Sequence, residues 1–104
     1  MDHNPLIERA TAFMTAIASH APWAEIKAFY APDIVQEEFP NLLLPKGATR
    51  NLGELREANA QGRQVISTQT IQIVNAVASD QCVALETLWT GTCLLYTSPS
   101  PRDS

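Results

Sequence analysis

Residues 65–92 read VISTQTIQIVNAVASDQCVALETLWTGT, and this stretch decides the fold. From 65 to 77 the β-branched content is high enough to predict a long strand. Ala78, Ser79, Asp80 and Gln81 supply a turn, and the β pattern resumes from Cys82 to Thr92. In that second strand the period of two puts Val83, Leu85, Thr87 and Trp89 on one face. Ala84, Glu86, Leu88 and Thr90 fall on the other. A long antiparallel hairpin is therefore expected at this end of the chain.

The segments before it read as helices. Asn4 caps a helix with Pro5 at its first position, and Leu6, Ala10, Phe13, Met14 and Ile17 form one apolar stripe to about Ser19. A second, short helix starts near Pro22 with Trp23, Ile26 and Tyr30 on one face, and Pro32 ends it because the residue before proline avoids the α region. Residues 34 to 39 read as a strand that Pro40 closes. Pro45 and Gly47 mark 41 to 50 as a loop. Asn51 and Glu54 then have the spacing of a capping box, opening a helix that carries Leu52, Leu55 and Ala58 and stops at Gly62. Helices followed by a run of antiparallel strands predict an α+β domain.

The far end reads differently. Cys93 through Asp103 back-translates without a gap into a transposase mosaic end followed by the adapter of shotgun sequencing libraries. Residues 93–104 are thus expected to be a non-native tail, and 1–92 an incomplete domain whose further strands are missing. On that reading Cys82 is the sole native cysteine of the two in the chain. Its place in an apolar strand suggests a small buried hydrophobe. An uncovered edge at Thr92 would leave the chain poorly stable and prone to aggregate.

Composition excludes several classes. The formal net charge is −4 and no basic cluster is present, which argues against a nucleic-acid surface. No apolar run approaches a membrane span, and no charged region followed by an apolar core opens the chain, so the reading is soluble and cytoplasmic. No His, Cys and Asp spacing suggests a metal site. The four glycines are scattered, with no phosphate loop, so no cofactor is implied.

Phe29-Tyr30-Ala31-Pro32-Asp33, then Glu38-Phe39-Pro40-Asn41, then Pro45-Lys46-Gly47, and last Val83-Ala84-Leu85-Glu86 with Trp89-Thr90-Gly91-Thr92, resemble the SnoaL-like branch of the nuclear transport factor 2-like superfamily. The resemblance covers residues 1–92. It implies a cone of curved antiparallel sheet around a pocket, with the N-terminal helices closing one side. It implies a small, largely apolar ligand, with a lyase, isomerase or cyclase using a carboxylate base as one reading. A non-catalytic ligand-binding or dimerisation domain is the other, with a homodimer as one expectation for the full-length protein. Epoxide or ester hydrolysis, with Glu38 positioning a water, is a further reading that needs a second carboxylate and an activating donor across the cavity.

The candidate residues follow. Glu38 shares a strand face with Ile34 and Gln36, and aligns with the carboxylate base of ketosteroid isomerases. In an apolar pocket such a group is tuned toward general-base work; otherwise Glu38 is exposed or hydrogen-bonded to the following loop. Trp23, Tyr30 and Trp89 are expected to line a pocket or to fill a core. Gln69 points an amide into the cavity or lies on an exposed strand face. Glu86 is a second cavity carboxylate or an outer-face residue. His20, at the end of the first helix, reads as a capping residue.

Overall fold

The computed structural model describes residues 4–93; the foreign-tail reading of 93–104 lies outside them except for the backbone of Cys93. The described residues form three helices and two small antiparallel sheets, an α+β arrangement. The order is α1 (Pro5–Ala18), α2 (Trp23–Lys27), β1 (Gln36–Glu38), β2 (Ala48–Arg50), α3 (Leu52–Val65), β3 (Ile66–Ala78) and β4 (Val83–Cys93). β1 pairs with β2, and β3 with β4.

The helix starts are set by their caps. Asn4 Oδ1 accepts from the Leu6 and Ile7 amides at 3.0 and 3.2 Å, with Pro5 needing no donor of its own. Asn51 and Glu54 close a reciprocal capping box, each bond 2.9 Å. α1 ends in a Schellman motif: the His20 amide donates to the Ile17 carbonyl and the Ala21 amide to that of Ala16. His20 takes the left-handed position of that motif at φ 56°, where glycine is usual. Its capping role is thus performed by its backbone.

Three boundaries differ from the sequence reading. The strand expected over 34–39 shrinks to Gln36–Glu38, because its partner is only Ala48–Arg50 before α3 begins. That partner lies inside the segment read as loop. α3 runs through Gly62 to Val65, its last bond donated by the Ile66 amide to the Gly62 carbonyl. An internal glycine costs a helix about 1 kcal/mol against alanine, too little to stop one whose next side chains favour it.

The long hairpin carries two irregularities. The register passes from Ile66↔Cys93 to Thr68↔Thr92, and from Ile73↔Thr87 to Asn75↔Glu86, so Ser67 and Val74 are bulged. Each bulge shifts the inner face by one residue. Gln69, Ile71 and Ile73 are shielded before the second bulge, and Ala76 and Ala78 after it. On β4 the partners of these residues are Gly91, Trp89, Thr87, Leu85 and Val83. α1 packs against β3 and β4 with Leu6, Ala10, Phe13, Met14 and Ile17 turned inward. Among the described residues Ile26 and Leu55 alone are fully buried apolar side chains, while Phe39, Leu42, Leu43 and Leu88 are exposed. Cys82 is exposed as well, correcting the expectation of a buried thiol. It falls in the turn before β4, where its carbonyl accepts from the Ser79 amide at 2.8 Å.

Candidate functional site

α2 is short, but its spacing brings Trp23, Ile26 and Tyr30 together. Phe13 of α1 steadies Tyr30, the two ring centroids lying 5.4 Å apart and nearly perpendicular. Trp23 lies 6.2 Å from Tyr30, the two rings tilted by 34°. Beneath these rings is a cavity of about 180 Å³ lined by Ile17, Trp23, Ile26, Tyr30, Gln36, Arg50, Leu55, Ala58 and Asn59. Its walls come from α1, α2, α3 and the β1–β2 hairpin. Ile17 and Asn59 also border an adjoining cavity of about 190 Å³ with His20, Gly62, Arg63, Ile66 and Gln69.

The register of the short hairpin decides which polar groups reach this space. Gln36 sits opposite Arg50 and Glu38 opposite Ala48, so all four share one face while Glu37 and Thr49 share the other. Gln36 and Arg50 line the cavity. The Tyr30 hydroxyl donates to Gln36 Oε1 at 3.4 Å, a long bond. Burial pushes the Tyr30 phenol above its ordinary pKa, so it stays a donor through the physiological range.

Glu38 does not line the cavity. Its Oε1 accepts from Arg50 Nη1 at 3.1 Å and its Oε2 from Asn41 Nδ2 at 3.0 Å. The Glu38 side chain is 39% exposed, so its carboxylate is paired and does not sit in an enclosed apolar pocket. Asn41 organises the loop on which this depends. Its Oδ1 accepts from the Leu43 and Leu44 amides at 2.9 and 3.0 Å, and its Nδ2 also donates to the Phe39 carbonyl at 2.8 Å.

The remaining candidates divide. Trp23 and Tyr30 are cavity walls. Gln69 borders the adjoining space, where its Nε2 donates to the Ile17 carbonyl at 2.8 Å. Trp89 lies one step behind: its indole Nε1 donates to Gln69 Oε1 at 2.8 Å and its ring covers Gly91. Arg63 fastens the same corner, donating to the His20 carbonyl at 2.7 Å and also to that of Ala21. Glu86 is opposite Asn75 and exposed, so it belongs to the outer face.

Gln36, Arg50, Leu55 and Asn59 are cavity residues that the sequence reading did not name as site candidates. Leu55 could have been found from its place on the apolar stripe of α3. Gln36 could have been found from its shared parity with Glu38. Arg50 gave no signal, because its segment read as loop.

A further cavity of about 220 Å³ lies between α1, the residues after α2 and the start of β4. Its one charged lining group, Arg9, stacks over Phe29 at 4.8 Å and donates to the Ala28 carbonyl at 2.7 Å. The Trp23 cavity differs in that polar groups from three elements converge on it. Among the described residues no three His, Cys, Asp or Glu side chains gather as a metal site, and no helix is long and apolar enough to cross a membrane. No family model matches the chain, and no curated protein is similar to it.

Proposed function

We propose that the chain is a pocket-forming domain that binds a small, largely apolar molecule beneath Trp23 and Tyr30. The observation that carries this is the make-up of that cavity: Ile17, Trp23, Ile26, Leu55 and Ala58 supply apolar wall, and Tyr30, Gln36, Arg50 and Asn59 supply a few polar contacts. Apolar walls with a handful of placed polar groups are the common form of a small-molecule site. The resemblance to the SnoaL-like branch of the nuclear transport factor 2-like superfamily supports the same reading, together with the conical fold that it implies. Titration with 2-naphthol, followed by tryptophan fluorescence, tests it. Saturable binding is expected, and Ala58→Met, which fills the cavity, is expected to abolish it. Binding that Ala58→Met leaves untouched would place the ligand elsewhere.

A catalytic version, with Glu38 as the base of a lyase, isomerase or cyclase, has one observation in its favour. Glu38 lies on the same strand face as Gln36, two residues away, so its release from Arg50 would turn it toward the cavity. Binding is preferred because both carboxylate oxygens are engaged, by Arg50 and Asn41, and the side chain does not line the cavity. Equal turnover of a substrate by the native chain and Glu38→Gln would remove the base.

A further inference from the structure

The cavity holds one cation whose donors are only partly used. A guanidinium presents five N–H groups. Among the described residues the recorded acceptor for Arg50 is Glu38 Oε1 alone, reached from Nη1 at 3.1 Å. The Arg50 side chain is only 21% exposed, and Trp23, Ile26 and Leu55 stand around the same space. Shielded donors facing apolar walls are costly until an acceptor arrives. Glu38 meets only part of that demand: it takes one Arg50 N–H on Oε1, while its Oε2 is turned to Asn41. Close by, the Tyr30 hydroxyl has only the 3.4 Å contact with Gln36, which a ligand oxygen can replace.

We infer that the cavity selects a small cyclic carboxylate, its ring against Trp23 and Leu55 and its carboxylate on the Arg50 guanidinium. Arginine suits this because its planar fork matches a carboxylate in two parallel bonds. Glu38 is then a positioning residue: it holds Nη1 so that the remaining N–H groups face the cavity, and Asn41 holds Glu38. The inference rests on the pocket reading proposed for this site and adds to it the charge of the ligand.

The test compares 2-naphthoate with 2-naphthamide, which keeps the ring and removes the charge, using the whole chain at neutral pH and tryptophan fluorescence. The native chain is expected to bind the acid about tenfold more tightly, the scale of one charge-assisted hydrogen bond. Arg50→Met is expected to erase that preference while 2-naphthamide still binds, and Arg50→Lys to keep part of it. Glu38→Gln is expected to lower the acid-to-amide ratio, a readout that a purely structural role would leave unchanged. Equal affinity for the two ligands in the native chain overturns the inference and leaves the pocket reading standing. Failure to bind either removes the pocket reading itself. Because the native comparison decides by itself, a variant that does not fold cannot rescue the inference.

Discussion

The β1–β2 hairpin pairs three residues with three, whereas β3–β4 pairs a strand of thirteen with one of eleven. The long hairpin is defined by its backbone ladder. Its side chains adjust to that ladder, even where Ser67 and Val74 bulge from it. The short hairpin has too few ladder bonds to hold its own shape. Asn41, Glu38 and Arg50 hold it through side-chain bonds, and Gly47 closes its return at φ 68°. The short hairpin also supplies Gln36 and Arg50 to the cavity. Regular pairing therefore frames this molecule, and polar groups lining the cavity sit where pairing is scarce and side chains are specific.

If that contrast is right, Gly47→Ala should have the largest effect. The added Cβ would press on the Glu38 carbonyl while the residue kept a left-handed backbone. A loss of about 3 kcal/mol is expected, confined to β1–β2, since left-handed strain and a backbone clash each cost on the order of 1–2 kcal/mol. Hydrogen exchange at Glu38 and Ala48 should rise about a hundredfold while Ile71 and Thr87 keep their rates. A loss shared equally by both hairpins would break the distinction.

Next is Gly91→Val, the matching test on the long hairpin. A Cβ at this position would lie 2.5 Å from Trp89 Cζ2, so the indole must move and release Gln69. About 2 kcal/mol should be lost, with a red shift of Trp89 emission and the ladder intact by circular dichroism. Asn51→Ala should follow at about 1 kcal/mol through loss of the α3 cap, seen as a lower thermal midpoint. His20→Gly should act in the opposite sense. Relief of the left-handed strain, partly offset by a more flexible unfolded chain, should raise stability by about 0.5 kcal/mol in urea titration.

The smallest effect concerns pH. The Tyr30 phenol is raised in the folded state, so the folded chain holds that proton more tightly than the unfolded one. The stability this contributes is complete below the unfolded value of about 10 and falls as pH rises from there through the folded value. Spectrophotometric titration, with Tyr30→Phe identifying the signal, should show Tyr30 ionising above the ordinary phenol range. Ionisation at or below that range would mean that the Phe13 and Trp23 rings do not shield it.

The same contrast explains what could be read from residues alone. Asn4 with Pro5, and Asn51 with Glu54, announce their helices because the capping group and the capped amide are neighbours in sequence. The alternation of Val83, Leu85, Thr87 and Trp89 is equally local, and the hairpin pairs them on one face. The strand Ala48–Arg50 escaped, because Pro45 and Gly47 signal a turn and three residues are too few to show a period. Trp23 and Tyr30 were grouped by helical spacing, which left open whether they wall a pocket or fill a core. Glu38 and Arg50, twelve positions apart, meet only once the hairpin register is set, so neither signalled the other. Glu86 was ambiguous for a related reason: alternation assigns it a face, but only the packing of α1 says which face is inner.

The bulge at Val74 has a consequence for any survey of substitutions along β3. Tolerance to polar replacement should alternate like a two-tone code, with odd numbers sensitive at 69, 71 and 73. Beyond Val74 the code should change phase, and even numbers 76 and 78 become the sensitive ones. Deleting Val74 would restore one unbroken rhythm. It would leave Ala76 and Ala78 inward, because the pairs 73↔87 and 75↔86 then become consecutive, whereas keeping Val74 in an unbulged ladder would bring Asn75 and Val77 in instead. One extra residue thus selects which end of the strand presents bulk to α1 and which presents space.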